Sequence, residues 1–183
     1  LRNACHEVLH LKCEYLKYPR TRVTFDLTAD LPIEQWAVYD GITEIVSLVE
    51  HRVIYPQMEA LGFDPWKDVE QRMQHDDFFG GLQKMRDLAA DGGINASGHM
   101  NLMARSARLL LELRNAELRS RFLRDKNWFA QDFRTARKIV DVLKRAGLTQ
   151  NACRRAMVRA LDLAEIPRDS YNITMGPANT QVA

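Results

Sequence analysis

The chain is short of the residues that staple small proteins together. Its 183 residues include three cysteines, Cys5, Cys13 and Cys153. An odd number of thiols in a chain large enough to fold without crosslinks excludes a disulfide-built scaffold and points to free thiols in a reducing, cytoplasmic setting. Six prolines and nine glycines are few enough to act as punctuation rather than composition. No apolar run approaches the ~18 residues of a membrane-spanning helix, which excludes that class and leaves no membrane partner expected. G-x-G-x-x-G, P-loop, G-x-S-x-G and H-E-x-x-H patterns are all missing, so neither an enzyme nor a cofactor is expected. The first residue is leucine, and a trimmed start would account for that as well as for a missing leader.

What is present is charge, unevenly placed. Residues 1–96 carry 10 Lys/Arg against 16 Asp/Glu, and residues 97–170 carry 16 against 8, within a formal total of +2. An acidic front joined to a basic back suits a polyanionic partner for the basic half. It also suits two halves, or two copies, that attract each other.

The patterning predicts an all-α, multi-helix protein with one short strand near the N-terminus and a helix-turn-helix-like C-terminal unit. A helix is expected over residues 2–17, with Cys5, Leu9, Cys13 and Leu16 on one stripe, ended by Tyr18-Pro19. Val23, Phe25 and Leu27 alternate with Thr24 and Asp26 as a half-buried strand would, and that strand needs a partner, either an unrecognised segment of this chain or a second copy of it. Asp30 reads as the N-cap of a helix running to about Leu61, with Gly41 and Pro56 as its weak points and Pro56 expected to kink or end it. Short helices are expected over 64–74 and 76–90. A glycine-rich linker at 91–98 falls where the charge changes sign. A long helix over 99–124, a helix over 133–146 and another over 149–164 complete the set. Three parts follow: an acidic part, 1–91, for dimerisation or partner docking; a basic part, 97–166; and a flexible tail, 170–183.

The strongest candidate site lies in residues 134–164, where Gly147 sits in a short turn between two helices and is placed to take a positive φ. On the second helix, Gln150, Asn151, Arg154, Arg155 and Arg159 fall on the face opposite Cys153, Ala156, Met157, Ala160 and Leu161. Amides and guanidiniums on one exposed face are the groups that read base edges and pair with phosphates, and Arg137 and Lys138 would add backbone contacts. The segment resembles a helix-turn-helix motif, with Leu143 where that motif carries a small residue. The resemblance implies a regulator, or an accessory subunit of a nucleoprotein assembly, that binds nucleic acid, most naturally duplex DNA. The competing expectations are a solvated helical hairpin, or an adaptor whose basic half docks on acidic protein surfaces.

Other constellations are thinner. Trp128, Phe129 and Phe133 interleave with cations as in single-strand binders, or simply fill a core. Arg22, Thr24 and Asp26 ahead of a capped helix resemble the opening of a ribbon-helix-helix protein, in which two chains pair their strands. His6, His10 and Cys13 stand at i, i+4 and i+7 with Glu14 beside them, and His51 or His75 could complete a zinc set; the alternative is an ordinary helix edge. Glu50-His51 before Ile54-Tyr55-Pro56 resembles one segment of hemerythrin-like diiron bundles, without the remaining ligand positions in order. His75-Asp76-Asp77 reads as the polar start of a helix.

Overall fold

A computed structural model of the chain describes residues 1–28, 30–67, 70–71, 93–124 and 130–175. The helix expected over 76–90, most of that over 64–74, His75, and the aromatics Trp128 and Phe129 lie outside these residues. The architecture is mostly helical, with a two-stranded antiparallel sheet. Among the described residues, no helix is long and apolar enough to cross a membrane.

Helix α1 spans Arg2–Tyr15 and turns Leu9 and Cys13 into the core. It gives way to strand β1, Pro19–Val23, through Lys17, whose φ of 60° reverses the chain. The strand therefore lies ahead of the alternating residues 23–27 that suggested it. Its partner is β2, Tyr171–Met175, in the register Pro19↔Met175 to Val23↔Tyr171. Of the two partners expected for the strand, an unrecognised segment of the chain supplies it rather than a second copy, and the tail from residue 170, expected to be flexible, begins as ordered sheet. Tyr171 is 5% exposed, and burying that ring is what an uncharged tail gains by pairing with β1.

Helix α2, Ile33–Ala60, is the central element at 28 residues. Asp30 does not cap it. Pro32 occupies the N-cap, its carbonyl accepting from the Trp36 N–H at 3.0 Å, and Asp30 stands too early to reach the first turn. Pro56 does not end the helix either. Proline forfeits one backbone bond, but Ile54, Tyr55 and Met58 beside it are at most 3% exposed, and that packing holds the helix through the defect. Gly41 is a close approach rather than a weakness: a Cβ there would sit 3.3 Å from the Ile166 Cδ1.

The expected long helix over 99–124 is two helices, α3 (Ala96–Glu112) and α4 (Ala116–Arg124). Asn95 caps the first through its Oδ1, which accepts from the Gly98 N–H at 2.9 Å. The break falls at Leu113, which is extended (ψ 111°), and the Asn115 Oδ1 then accepts from the Leu118 N–H at 3.0 Å. Extension drops Leu113 into a satellite core with Leu102, Leu109, Phe122 and Phe133, so Phe133 is a core residue. Helices α5 (Ala130–Arg145) and α6 (Gln150–Leu163) form the expected hairpin, with Thr149 capping α6. Gly147 has no positive φ; among the described glycines only Gly62 does.

The main core draws on α1, α2, α3, α5, α6 and β2 together. The charge boundary near residue 96 is thus not a break in packing, since α2 lies along α3. Ion pairs stitch across it: Arg108 meets Glu44 at 2.6 Å and Arg105 meets Asp40 at 3.6 Å.

Candidate metal centre

Where α1 crosses α2, three histidines meet. His6 and His10 are one helical turn apart on α1 and so share a face. His51 comes from the middle of α2, next to the buried Glu50. The Nε2 of His6 lies 3.2 Å from the Nε2 of His51 and 3.2 Å from that of His10. All three ligand atoms fall within 4.8 Å of one another.

The opposite ring nitrogens decide what this triangle is. His51 Nδ1 is 2.7 Å from Glu112 Oε1, His10 Nδ1 is 2.7 Å from Glu50 Oε2, and His6 Nδ1 is 3.2 Å from Glu7 Oε1. A carboxylate accepts, so each Nδ1 carries the proton it donates. In the neutral rings each Nε2 is then a bare lone pair. Three lone pairs facing one another repel unless a cation sits between them. A tetrahedral ion with nitrogen ligands at ~2.0–2.1 Å would hold them about 3.3 Å apart, close to the 3.2 Å that separates His6 from each of the other two.

The carboxylates are themselves held. Glu112, 1% exposed, accepts from His51 and from the Arg108 Nε at 3.0 Å, and Arg108 reaches on to Glu44. Burial alone would raise the Glu112 pKa, but its hydrogen-bonded and electrostatic interactions with His51, and then those with Arg108, outweigh it and hold the group below its usual value. Arg108 is buried too, yet its two carboxylate partners raise its pKa. For His6, burial and then the neighbouring His51 and His10 lower the pKa, favouring the neutral, ligating form. The His51 ring stacks on Tyr55 with centroids 4.3 Å apart, which fixes its plane. His6 and His10 keep 18% and 20% of their side chains exposed, so the cluster is reachable from solvent.

Of the residues the sequence offered, His6, His10 and His51 come together and Cys13 does not. Cys13 is 1% exposed in the core, where burial and the nearby Glu50 push its thiol up to about 11. Glu14 is engaged by Arg20 at 3.2 Å. Glu112 and Glu50 were missed as partners of the imidazoles; the only signal for either was the Glu50-His51 pair, because the contact to Glu112 closes over 61 residues.

Arg137, Lys138, Gln150, Asn151, Arg154, Arg155 and Arg159 are all exposed, on α5 and α6. Asn151, Arg155 and Arg159 share one stripe of α6 at i, i+4 and i+8. Gln150 is partly committed, its Nε2 donating to the Leu16 carbonyl at 3.2 Å. No ion pair ties the five cations to a carboxylate among the described residues. Comparison of the chain with protein-family models, with curated proteins and with solved structures finds no match.

Proposed function

We propose that this protein binds a single transition-metal ion of the zinc class through the Nε2 atoms of His6, His10 and His51. The observation that carries the reading is the convergence of three imidazole lone pairs whose opposite nitrogens each meet a carboxylate. Carboxylate–histidine–metal relays fix ring orientation and make the imidazole a better donor. Three nitrogen ligands leave one tetrahedral position for water or substrate, as in catalytic zinc sites rather than closed structural ones. Such an ion lowers the pKa of its bound water to about 7, so the arrangement suits hydrolytic or hydration chemistry. The test is elemental analysis of the purified full chain, followed by cobalt substitution. One equivalent of metal and the visible bands of tetrahedral cobalt are expected; a protein that takes up no stoichiometric metal overturns the proposal.

A second reading rests on a different surface. The exposed stripe of Asn151, Arg155 and Arg159, with Arg154 exposed on the same helix and Arg137 and Lys138 exposed on α5, supports contact with nucleic acid, duplex DNA being the natural target of a helical hairpin of this kind. A random-sequence duplex titrated at several salt concentrations tests it. Affinity falling steeply with salt is expected. Salt-independent or undetectable binding would leave the basic half to an acidic protein surface.

A further inference from the structure

On the far side of His51 from α1's exposed edge, a cleft of about 550 Å³ opens between α2, the α3–α4 break and the end of α5. Its walls carry four cations, Arg52, Arg114, Arg119 and Lys144, and the aromatic pair Tyr55 and Trp66. Two carboxylates share the lining. Glu112 is already balanced by Arg108, and Glu59 accepts from the Trp66 indole N–H at 3.0 Å. None of the four cations has an ion pair among the described residues.

The cations are aimed rather than merely present. Arg119 is anchored by its Nη1 on the carbonyls of Leu110 and Leu113, at 3.3 and 3.1 Å. Arg114 lies over the Trp66 ring, 4.2 Å from its centroid, and Trp66 meets Tyr55 edge-on at 4.7 Å. Arg52 donates its Nη2 to the Ala146 carbonyl, while its Nη1 is fully buried with no hydrogen-bond partner. A buried guanidinium donor without an acceptor is costly, and burial lowers the Arg52 pKa accordingly. Arg52 lines the cleft, and a small shift of its guanidinium towards the opening would let an anion there accept from it.

We infer that this cleft binds an organic phosphate, its phosphoryl group held by Arg52, Arg119 and Lys144 and its ring system beside the partly exposed Trp66, which the buried Tyr55 backs. Guanidiniums match phosphate oxygens two at a time, and a lysine adds a point charge. The cavity lies within the ~300–1,000 Å³ usual for small-molecule sites. Apart from His51 and Glu112, which the cleft shares with the metal centre, the phosphate-binding groups are separate from it, so the inference stands or falls without the metal.

Isothermal titration of the full-length protein as purified, with adenosine monophosphate, inorganic phosphate and adenosine in turn, tests it. Saturable binding of the nucleotide, competition by phosphate and at least tenfold weaker binding of adenosine are expected. The Lys144→Glu variant changes an exposed side chain that the fold does not need, and should weaken the nucleotide at least tenfold; Arg52→Gln should do the same. Absence of saturable nucleotide binding, adenosine binding as well as the nucleotide, or full affinity in Lys144→Glu would each overturn the inference. Because metal content is read separately, a failure here leaves the tri-histidine reading standing, and the converse holds.

Discussion

The crossing of α1 over α2 and the outer face of α6 are both rich in nitrogen, and they solve opposite problems. At the crossing, each histidine has a carboxylate on one nitrogen and other imidazoles on the other, with Glu112 and Glu50 buried behind them. Burying carboxylates is expensive unless they are paired and hydrogen-bonded. A surface helix edge has no reason to bear that cost. On α6, the arginines stand in water with no ion-paired carboxylate among the described residues. Exposed cations cost almost nothing to place, so their presence constrains function weakly. The comparison teaches that the informative polar groups are those whose placement the fold had to offset elsewhere.

The largest expected effect breaks one side of that comparison only. His51→Ala removes the buried imidazole on α2, and metal affinity should fall by at least two orders of magnitude, read by competition with a chromophoric chelator. Arg155→Glu should leave it unchanged. Equal loss in both variants would mean the metal sits elsewhere. Glu112→Gln is a finer cut. It keeps a group that can accept from His51 but removes the charge shared with Arg108, and loss of such a partner costs about 10–100-fold in metal affinity. Unaltered affinity would reduce Glu112 to a partner of Arg108 alone. On the other surface, Arg155→Glu should lower the slope of log affinity for duplex DNA against log salt by about one phosphate contact, with a smaller loss of affinity than either metal variant. An unchanged slope removes Arg155 from the interface.

How far these features were legible follows from the range of the contacts. His6 and His10 share a helix, and their spacing alone placed them on one face. That His51 rather than His75 completes the described set depends on where α1 crosses α2, which no local pattern encodes. The helix α6 and its sorted surface were readable because its apolar residues repeat at helical spacing. The break at Leu113 was not, since Leu109, Leu113 and Ala116 continue a heptad-like stripe while Asn115 supplies a new cap. The strand β2 carried its own signal in Tyr171, Ile173 and Met175, a period-2 alternation that its lack of charge obscured. Its pairing with β1 spans the whole fold, so the partner was beyond sequence pattern. Pro56 inside α2, expected to kink or end the helix, does not end it: local propensity was read correctly and tertiary packing carries the helix on to Ala60.

The smallest expected effect concerns Cys13, which shares α1 with His6 and His10 yet belongs to the core. If its thiol were a ligand, metal would hold it as thiolate and cobalt would show a sulfur charge-transfer band in the near ultraviolet. Buried as it is, the thiol is held protonated, with its pKa raised from 9.0 to about 11 by burial and then by Glu50. A raised folded-state value means the unfolded chain gives up this proton first as the solution becomes alkaline. The contribution of Cys13 to stability is therefore complete below about pH 9 and is lost as pH rises towards about 11. Thermal melts of the wild type and Cys13→Ala across that range should converge as pH rises, with the cobalt spectrum the same in both proteins. A spectrum that changes in Cys13→Ala would move the cysteine from the core to the metal, and the three-imidazole centre would have to be redrawn.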